Sequence, residues 1–218
     1  MKNAQVFQKK NREKIEISVK ALINEQKAFL SQATASSPRA VGDALQKILS
    51  DNFASIVEPF SKNYSSEFAR RAMADFAFTD ADENYCIVDV KTHRENTSFN
   101  MPNLTSVERL VRFYEDDKNY FSILFIRYSI SGTILSVNKV HFVPIEFLSW
   151  ECLTIGALGW GQIQIANANR LVIDEKVTRK EWMLRLCDVM LEFYPREIEK
   201  ISERIDYFKK VRAKWEQK

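Results

Sequence analysis

The sequence predicts an α/β (α+β) fold, with helices flanking one mixed central β-sheet. Three observations carry that prediction. Apolar residues recur at three- and four-residue steps near both ends of the chain, the period of amphipathic helices. Two-residue alternation and β-branched or aromatic runs fill the middle, from Asp75 to Thr92 and from Tyr120 to Val143. No Pro-, Gly- or Ser-rich linker divides the chain and no segment repeats, so a single domain over 1–218 is the economical organisation.

The elements follow in order. Ile15, Val19, Leu22, Ile23 and Phe29 mark a first helix within an N-terminal segment, 1–34, whose apolar stripe is a candidate dimer surface. The Ala33 to Pro38 stretch reads as a loop. The remainder, 35–218, opens with a helix carrying Val41, Leu45, Ile48, Leu49, Phe53, Ile56 and Val57 on one stripe, ending near Pro59. A hairpin is expected next, with Asp80 to Asn84 as its loop. That register pairs Thr79 with Tyr85, Phe78 with Cys86 and Phe76 with Val88, and sets Asp75 opposite Asp89. Thr105 to Glu108 reads as a capping box for a short helix. Tyr120 to Ile130 and Thr133 to Val143, separated by Ser131-Gly132, read as a second hairpin. Gln162 to Ala166 follows as a strand, with Leu171 to Ile173 as its partner. Thr178 to Glu181 is another capping box, opening a helix that Pro195 should end. A last helix carries Ile198, Ile201, Ile205, Phe208, Val211 and Trp215.

Composition bounds the function. At 218 residues and 45% hydrophobic, the chain can bury a full core, and its 28% charged content argues against disorder. No run is long enough to span a membrane, and the Lys-rich start lacks the apolar centre of a signal peptide. Cys86, Cys152 and Cys187 have neither zinc-site spacing nor a disulfide framework and read as free thiols in a reducing cytoplasm. A net charge of +3 means that any nucleic-acid contact must come from a local basic surface.

Chemistry concentrates in the first hairpin. Asp89 and Lys91 share one face of their strand, while Val88 and Val90 take the other. An acid, any residue, then lysine occurs five times in this chain, yet only the Asp89 copy sits in an apolar, β-branched run beside a second aspartate. Two carboxylates facing each other across a ladder destabilise a fold unless something binds them. A divalent cation meets that need, and hard oxygen ligands such as these suit Mg²⁺. The bland alternative is a surface ion cluster on an ordinary hairpin. His93, alone after a strand, reads as a polar surface residue.

These residues resemble a family. Asp75, Asp89 and Lys91, with Ala74 where many members carry proline, look like the PD-(D/E)XK nuclease core. Asp89-Val90-Lys91-Thr92, Asn96, Ser98, Pro102-Asn103 and Ser106, then Gly161-Gln162-Ile163-Gln164 and Arg179-Lys180-Glu181-Trp182, are similar to the HincII/EcoRV-like, blunt-cutting branch of type II restriction endonucleases. The resemblance spans roughly Gly42 to Lys210, with scattered identities. It implies a restriction-endonuclease-like core and a homodimer acting on double-stranded DNA with Mg²⁺. The products would be 5′-phosphates at a short palindrome. Asp75, Asp89 and the backbone carbonyl of Val90 would be metal ligands, Asp43 an assisting acid, and Lys91 the group holding the attacking water.

The resemblance also marks DNA-facing segments: Ser98, Asn100 and Asn103 in one, preceded by Thr92, and Gln162, Gln164, Asn167 and Asn169 in the other; Arg39, ahead of the second helix, is a candidate to reach the minor groove or a phosphate. Side-chain amides suit adenine, which points to an A·T-rich site. Asn100 stands where a member of this branch inserts a glutamine between base pairs, with Phe99 and Met101 beside it as possible wedges. Gly156 stands where such a member has an asparagine, so its target sequence does not transfer. The rival readings are a structure-specific repair or recombination nuclease with the same core, and a non-catalytic DNA-binding protein with a retired site.

Overall fold

A computed structural model describes residues 4–26, 29–65, 74–97 and 99–218. Its architecture is mixed α+β, with a mixed central sheet flanked by helices. The chain divides into two compact units, residues 1–176 and 177–218.

In the first unit, α1 (Lys9–Glu25) and α3 (Pro38–Val57) bury the stripes that their periodicity marks: Ile15, Val19 and Ile23 on α1, and Val41, Leu45, Leu49, Phe53 and Val57 on α3. These side chains form one core cluster with Phe76, Phe78, Val88, Leu124 and Phe142 of the large sheet. Phe53 stacks on Phe76 at 5.1 Å between ring centroids. Each such side chain, fully buried, contributes about 1.5–3 kcal/mol. Helix α1 is further pinned to the sheet by polar bonds. Lys20 donates to the Asn138 carbonyl at 2.9 Å, and Glu16 accepts from the Phe142 amide at 2.8 Å. The apolar stripe of α1 is therefore spent inside its own chain, which removes the reason for placing a dimer surface there. The Ala33 to Pro38 stretch is not all loop either: a short helix, α2 (Gln32–Ser36), forms because the Ser31 hydroxyl caps the Thr34 amide.

The large sheet has the order β1–β2–β3–β5–β6. Its strands are β1 (Ser61–Ser65), β2 (Phe76–Asp80), β3 (Tyr85–Arg94), β5 (Asn119–Ser131) and β6 (Ile134–Pro144). Strands β2 and β3 pair in the expected register, Phe76 with Val88, Phe78 with Cys86 and Thr79 with Tyr85. Strands β5 and β6 form the expected second hairpin. Strand β5 runs parallel to β3 from Tyr85↔Asn119 to Arg94↔Tyr128, making the sheet mixed. The parallel pair needs a crossover, and it contains β4 (Asn103–Ser106) and α4 (Val107–Phe113). Thr105 belongs to β4, so the N-cap of α4 is Ser106, whose hydroxyl accepts from the Arg109 amide.

A second sheet, in the order β4–β8–β7, combines that crossover strand with β7 (Leu153–Gly156) and β8 (Gln162–Ile165). The segment Leu171 to Ile173 is not the partner of β8. Ile173 makes a single bridge to Leu148, while the chain after β8 turns through Asn167 and Ala168, whose amide donates to the Asn100 carbonyl at 2.8 Å.

The second unit is one helix, α5 (Arg179–Glu216). Both bonds of the predicted Thr178/Glu181 capping box are present. Pro195 does not end it. Proline removes one ladder donor and crowds the preceding turn. The carbonyl it leaves without a ladder donor is that of Leu191; one residue on, the Arg196 side chain donates to the Glu192 carbonyl at 3.0 Å.

Candidate active site

The hairpin β2–β3 delivers its acids from two strands. The ladder runs one step past β2, where the Asp75 amide donates to the Val88 carbonyl at 2.9 Å. The Asp75 carboxylate then turns onto β3 and accepts from the Val90 amide at 2.7 Å. Its other oxygen accepts a hydrogen bond from the Gln46 side chain of α3. Gln46 was not evident as a site residue in the sequence. Its only signal is its place one turn after Asp43 on a helix that precedes the hairpin.

Asp89 is buried, 6% exposed, and its neighbour two residues on is its counter-ion: the Lys91 ammonium lies 2.8 Å from the carboxylate. Burial pushes the Asp89 carboxyl up to about 7; the Lys91 charge and hydrogen bond oppose the rise, and the Asp75 charge adds to it. Asp75, Asp89 and Lys91 thus share one electrostatic site, as the alternation of β3 predicts.

Helix α3 closes the site from above. A Cβ added to Gly42 would lie 3.1 Å from the Thr92 hydroxyl, so the missing side chain permits this close approach of α3 to β3. Between them lies a cavity of about 350 Å³ lined by Arg39, Asp43, Gln46, Lys91, Thr92 and Asn100, among others. Five expected site residues, Arg39, Asp43, Lys91, Thr92 and Asn100, therefore share one cleft, together with the Val90 position of the expected carbonyl ligand.

The remaining amides divide. Asn103 and Gln164 are partners on neighbouring strands, and the Gln164 side-chain amide donates to Asn103. Gln162 shares the Gln164 face of β8, while Ile163 and Ile165 are buried on the other. Asn169 is engaged inside the chain instead. It meets the His93 ring at 2.8 Å and donates to the Thr97 carbonyl at 3.1 Å. Asn167 accepts from the Asn169 amide at 3.0 Å, an Asx turn. These two therefore shape a turn and brace the end of β3. His93 is not on the surface: it is 1% exposed, stacked 6.3 Å from Phe125. Ser98 lies outside the described residues.

Two carboxylates, one of them desolvated, beside a backbone carbonyl position make a hard-oxygen donor set that suits Mg²⁺. Among the described residues no three His, Cys, Asp or Glu side chains converge as a metal-holding group, so Asp43 does not complete a three-carboxylate set with the hairpin acids. No helix among the described residues is long and apolar enough to cross a membrane. In comparisons with known proteins, no family model matches the chain and no curated protein does.

Proposed function

We propose that this protein is a Mg²⁺-dependent type II restriction endonuclease with a PD-(D/E)XK core, acting as a homodimer on both strands of a short palindrome. The observation that carries the reading is the Asp89–Lys91 pair: a buried carboxylate whose desolvation the Lys91 ammonium opposes, near enough to Asp75 to feel its charge, with Lys91 in the wall of the α3–β3 cleft. A purely structural ion pair gains little from such burial, because desolvation tends to exceed the Coulombic gain. A site that receives a dication gains from it.

Asp75, Asp89 and the Val90 carbonyl would hold the ion. When bound, Mg²⁺ supplies positive charge at the scissile phosphate and acidifies water for attack. Lys91 reaches from Asp89 into the cleft, where its ammonium orients the nucleophile and stabilises the phosphate charge. The Val90 amide and Gln46 fix both oxygens of Asp75, so this ligand is pre-oriented. Arg39 lines the cleft and would supply a cation there, and Asn100 lines the same cleft, which supports its reading as a base-contacting amide beside the chemistry. Asn103, Gln162 and Gln164 on the small sheet extend the reading surface, and adenine is the base their amides suit.

The test is digestion of long unmethylated DNA with Mg²⁺ or Mn²⁺, followed by sequencing of the ends. Discrete fragments with 5′-phosphates, abolished by Lys91→Ala, are expected. Cleavage confined to branched or damaged DNA would move the assignment to a structure-specific nuclease. Wild-type protein that cuts no duplex with either ion would leave a non-catalytic DNA-binding protein.

A further inference from the structure

Helix α5 carries a second apolar pattern that its own unit leaves at the surface. Leu184, Leu191, Ile198 and Ile205 recur every seven residues. Tyr194, Ile201, Phe208 and Trp215 recur every seven residues in the second register, three residues after the first. Together they trace a strict three–four alternation, the seam of a two-stranded coiled coil. Their exposure runs from 40% at Tyr194 to 73% at Leu191. A monomer rarely leaves so long an apolar stripe in water. The stripe spans about 46 Å of helix.

We propose that this seam is the surface on which a second copy of the chain docks, as an antiparallel helix pair related by a two-fold axis. The proposal does not rest on the nuclease reading. The occupant is identified by complementarity of the seam with itself. In an antiparallel pair, residues of the first register face residues of the second. The alignment that sets Ile198 against Ile201 of the second copy also sets Leu191 against Phe208 and Leu184 against Trp215, leaving no overhang. It is centred between residues 199 and 200. The two polar interruptions of the seam, Cys187 and Arg212, fall opposite each other in that alignment.

The flanking charges agree. Beside the seam, Asp188 of one copy faces Lys209 of the other, twice by symmetry, and both side chains are exposed. A parallel pair would place Arg204 against Lys209 and Arg212 against Arg212, like charges in both cases. The area is also sufficient. Tyr194, Phe208 and Trp215, 40–66% exposed, still offer roughly half of the about 150–250 Å² that an aromatic side chain buries, and with the five aliphatic residues, 49–73% exposed, two copies bring about 1,200 Å², the lower bound of a standard interface.

Sedimentation velocity on the full chain across a micromolar range tests this. Wild type should be a dimer, and Ile201→Glu with Phe208→Glu should raise the dissociation constant at least about 100-fold with helicity by circular dichroism unchanged. Should that variant fail to fold, Lys209→Asp carries the test: it weakens an antiparallel dimer by opposing Asp188, and Asp188→Lys added to it restores association. Under mild oxidation, Arg212→Cys should give dimers cross-linked through Cys187. A monomeric wild type, a dimer indifferent to the seam substitutions, tighter association of Lys209→Asp, or a Cys187–Cys187 cross-link in wild type would each overturn the proposal.

Discussion

The carboxylate of Asp75 accepts the amide hydrogen of Val90 at 2.7 Å, so the first acid of the site grips the backbone between the second acid and the lysine. The distance between Asp75 and the Asp89–Lys91 strand is therefore set by a hydrogen bond as well as by the ladder. Asparagine at position 75 still offers an oxygen to that amide, and Gln46 can rotate its own amide to match. Asp75→Asn should fold with a stability change below about 1 kcal/mol, whereas Asp75→Ala, which strands the Val90 amide, should cost about 1–3 kcal/mol. Neither should cleave DNA with Mg²⁺. Thermal unfolding and a digestion assay separate the two effects, and cleavage by Asp75→Asn at the wild-type rate would remove Asp75 from the ligand set.

The burial of Asp89 makes the site costly to fold. Its carboxyl, pushed up to about 7, keeps a proton that the unfolded chain releases near 3.8. Stability from this group is thus present below about pH 4, declines as pH rises towards 7, and is absent above that. Asp89→Asn should stabilise the metal-free protein at pH 8, on the order of 2 kcal/mol, while abolishing cleavage. The same substitution should erase any rise in melting temperature on adding Mg²⁺, because a cation that binds only the native state stabilises it. Unfolding curves at pH 5 and pH 8, with and without Mg²⁺, check both statements. An unchanged or lowered stability at pH 8 would contradict the first.

Some of this was legible in the residues and some was not. Period-two alternation fixed the β2–β3 register to the residue, because a slip of one would have moved Phe76, Phe78 and Val88 off the face that packs with α1 and α3. Pro195 misled because a proline costs a helix one ladder bond, and a helix of 38 residues continues on the bonds to either side of it. Asn169 resembled a DNA-facing amide in the chain, yet its partners, His93 of β3 and the Thr97 carbonyl just beyond that strand, lie more than seventy residues away. Gly42 gave no local signal of its role, and Gln46 gave only its place one turn after Asp43. Their roles exist only because α3 folds over β3, a contact that periodicity within either element does not encode.

His141 and Asp89 should pull the acid side of the stability profile in opposite directions. It pairs with Phe125 across β5–β6. Burial holds its pKa down to about 4, and the charges of Lys139, Arg127 and Arg12 add to the effect. The unfolded chain takes up a proton near pH 6.5 that the folded chain refuses until about 4. The contribution of this group is therefore intact above about 6.5 and falls through that window, by at most about 3 kcal/mol. His141→Gln should remove that loss, so its stability relative to wild type should rise between pH 6.5 and 4. A chemical-denaturation series over that range decides it, and equal slopes for both proteins would show that other groups set the acid limit.

Gly156 governs how Gln164 is presented. A Cβ at position 156 would lie 2.8 Å from the Gln164 side-chain oxygen and 3.0 Å from its nitrogen, closer than real contacts permit. The atoms met are the free end of a flexible side chain, so Gln164 can swing away at small cost in stability. Swinging away breaks its bond to Asn103 and misaims the amide from the face it shares with Gln162. A well-placed amide contact to one base is worth about 1–3 kcal/mol of discrimination. Gly156→Ala should therefore fold like wild type, within about 1 kcal/mol. It should lose roughly tenfold to a hundredfold in cleavage rate at the cognate sequence and relax preference at one symmetric pair of positions. End sequencing of a digest by both proteins reads the preference directly. Identical sites cut at identical rates would show that Gln164 does not read the DNA and that the Gln164–Asn103 pair only joins two strands.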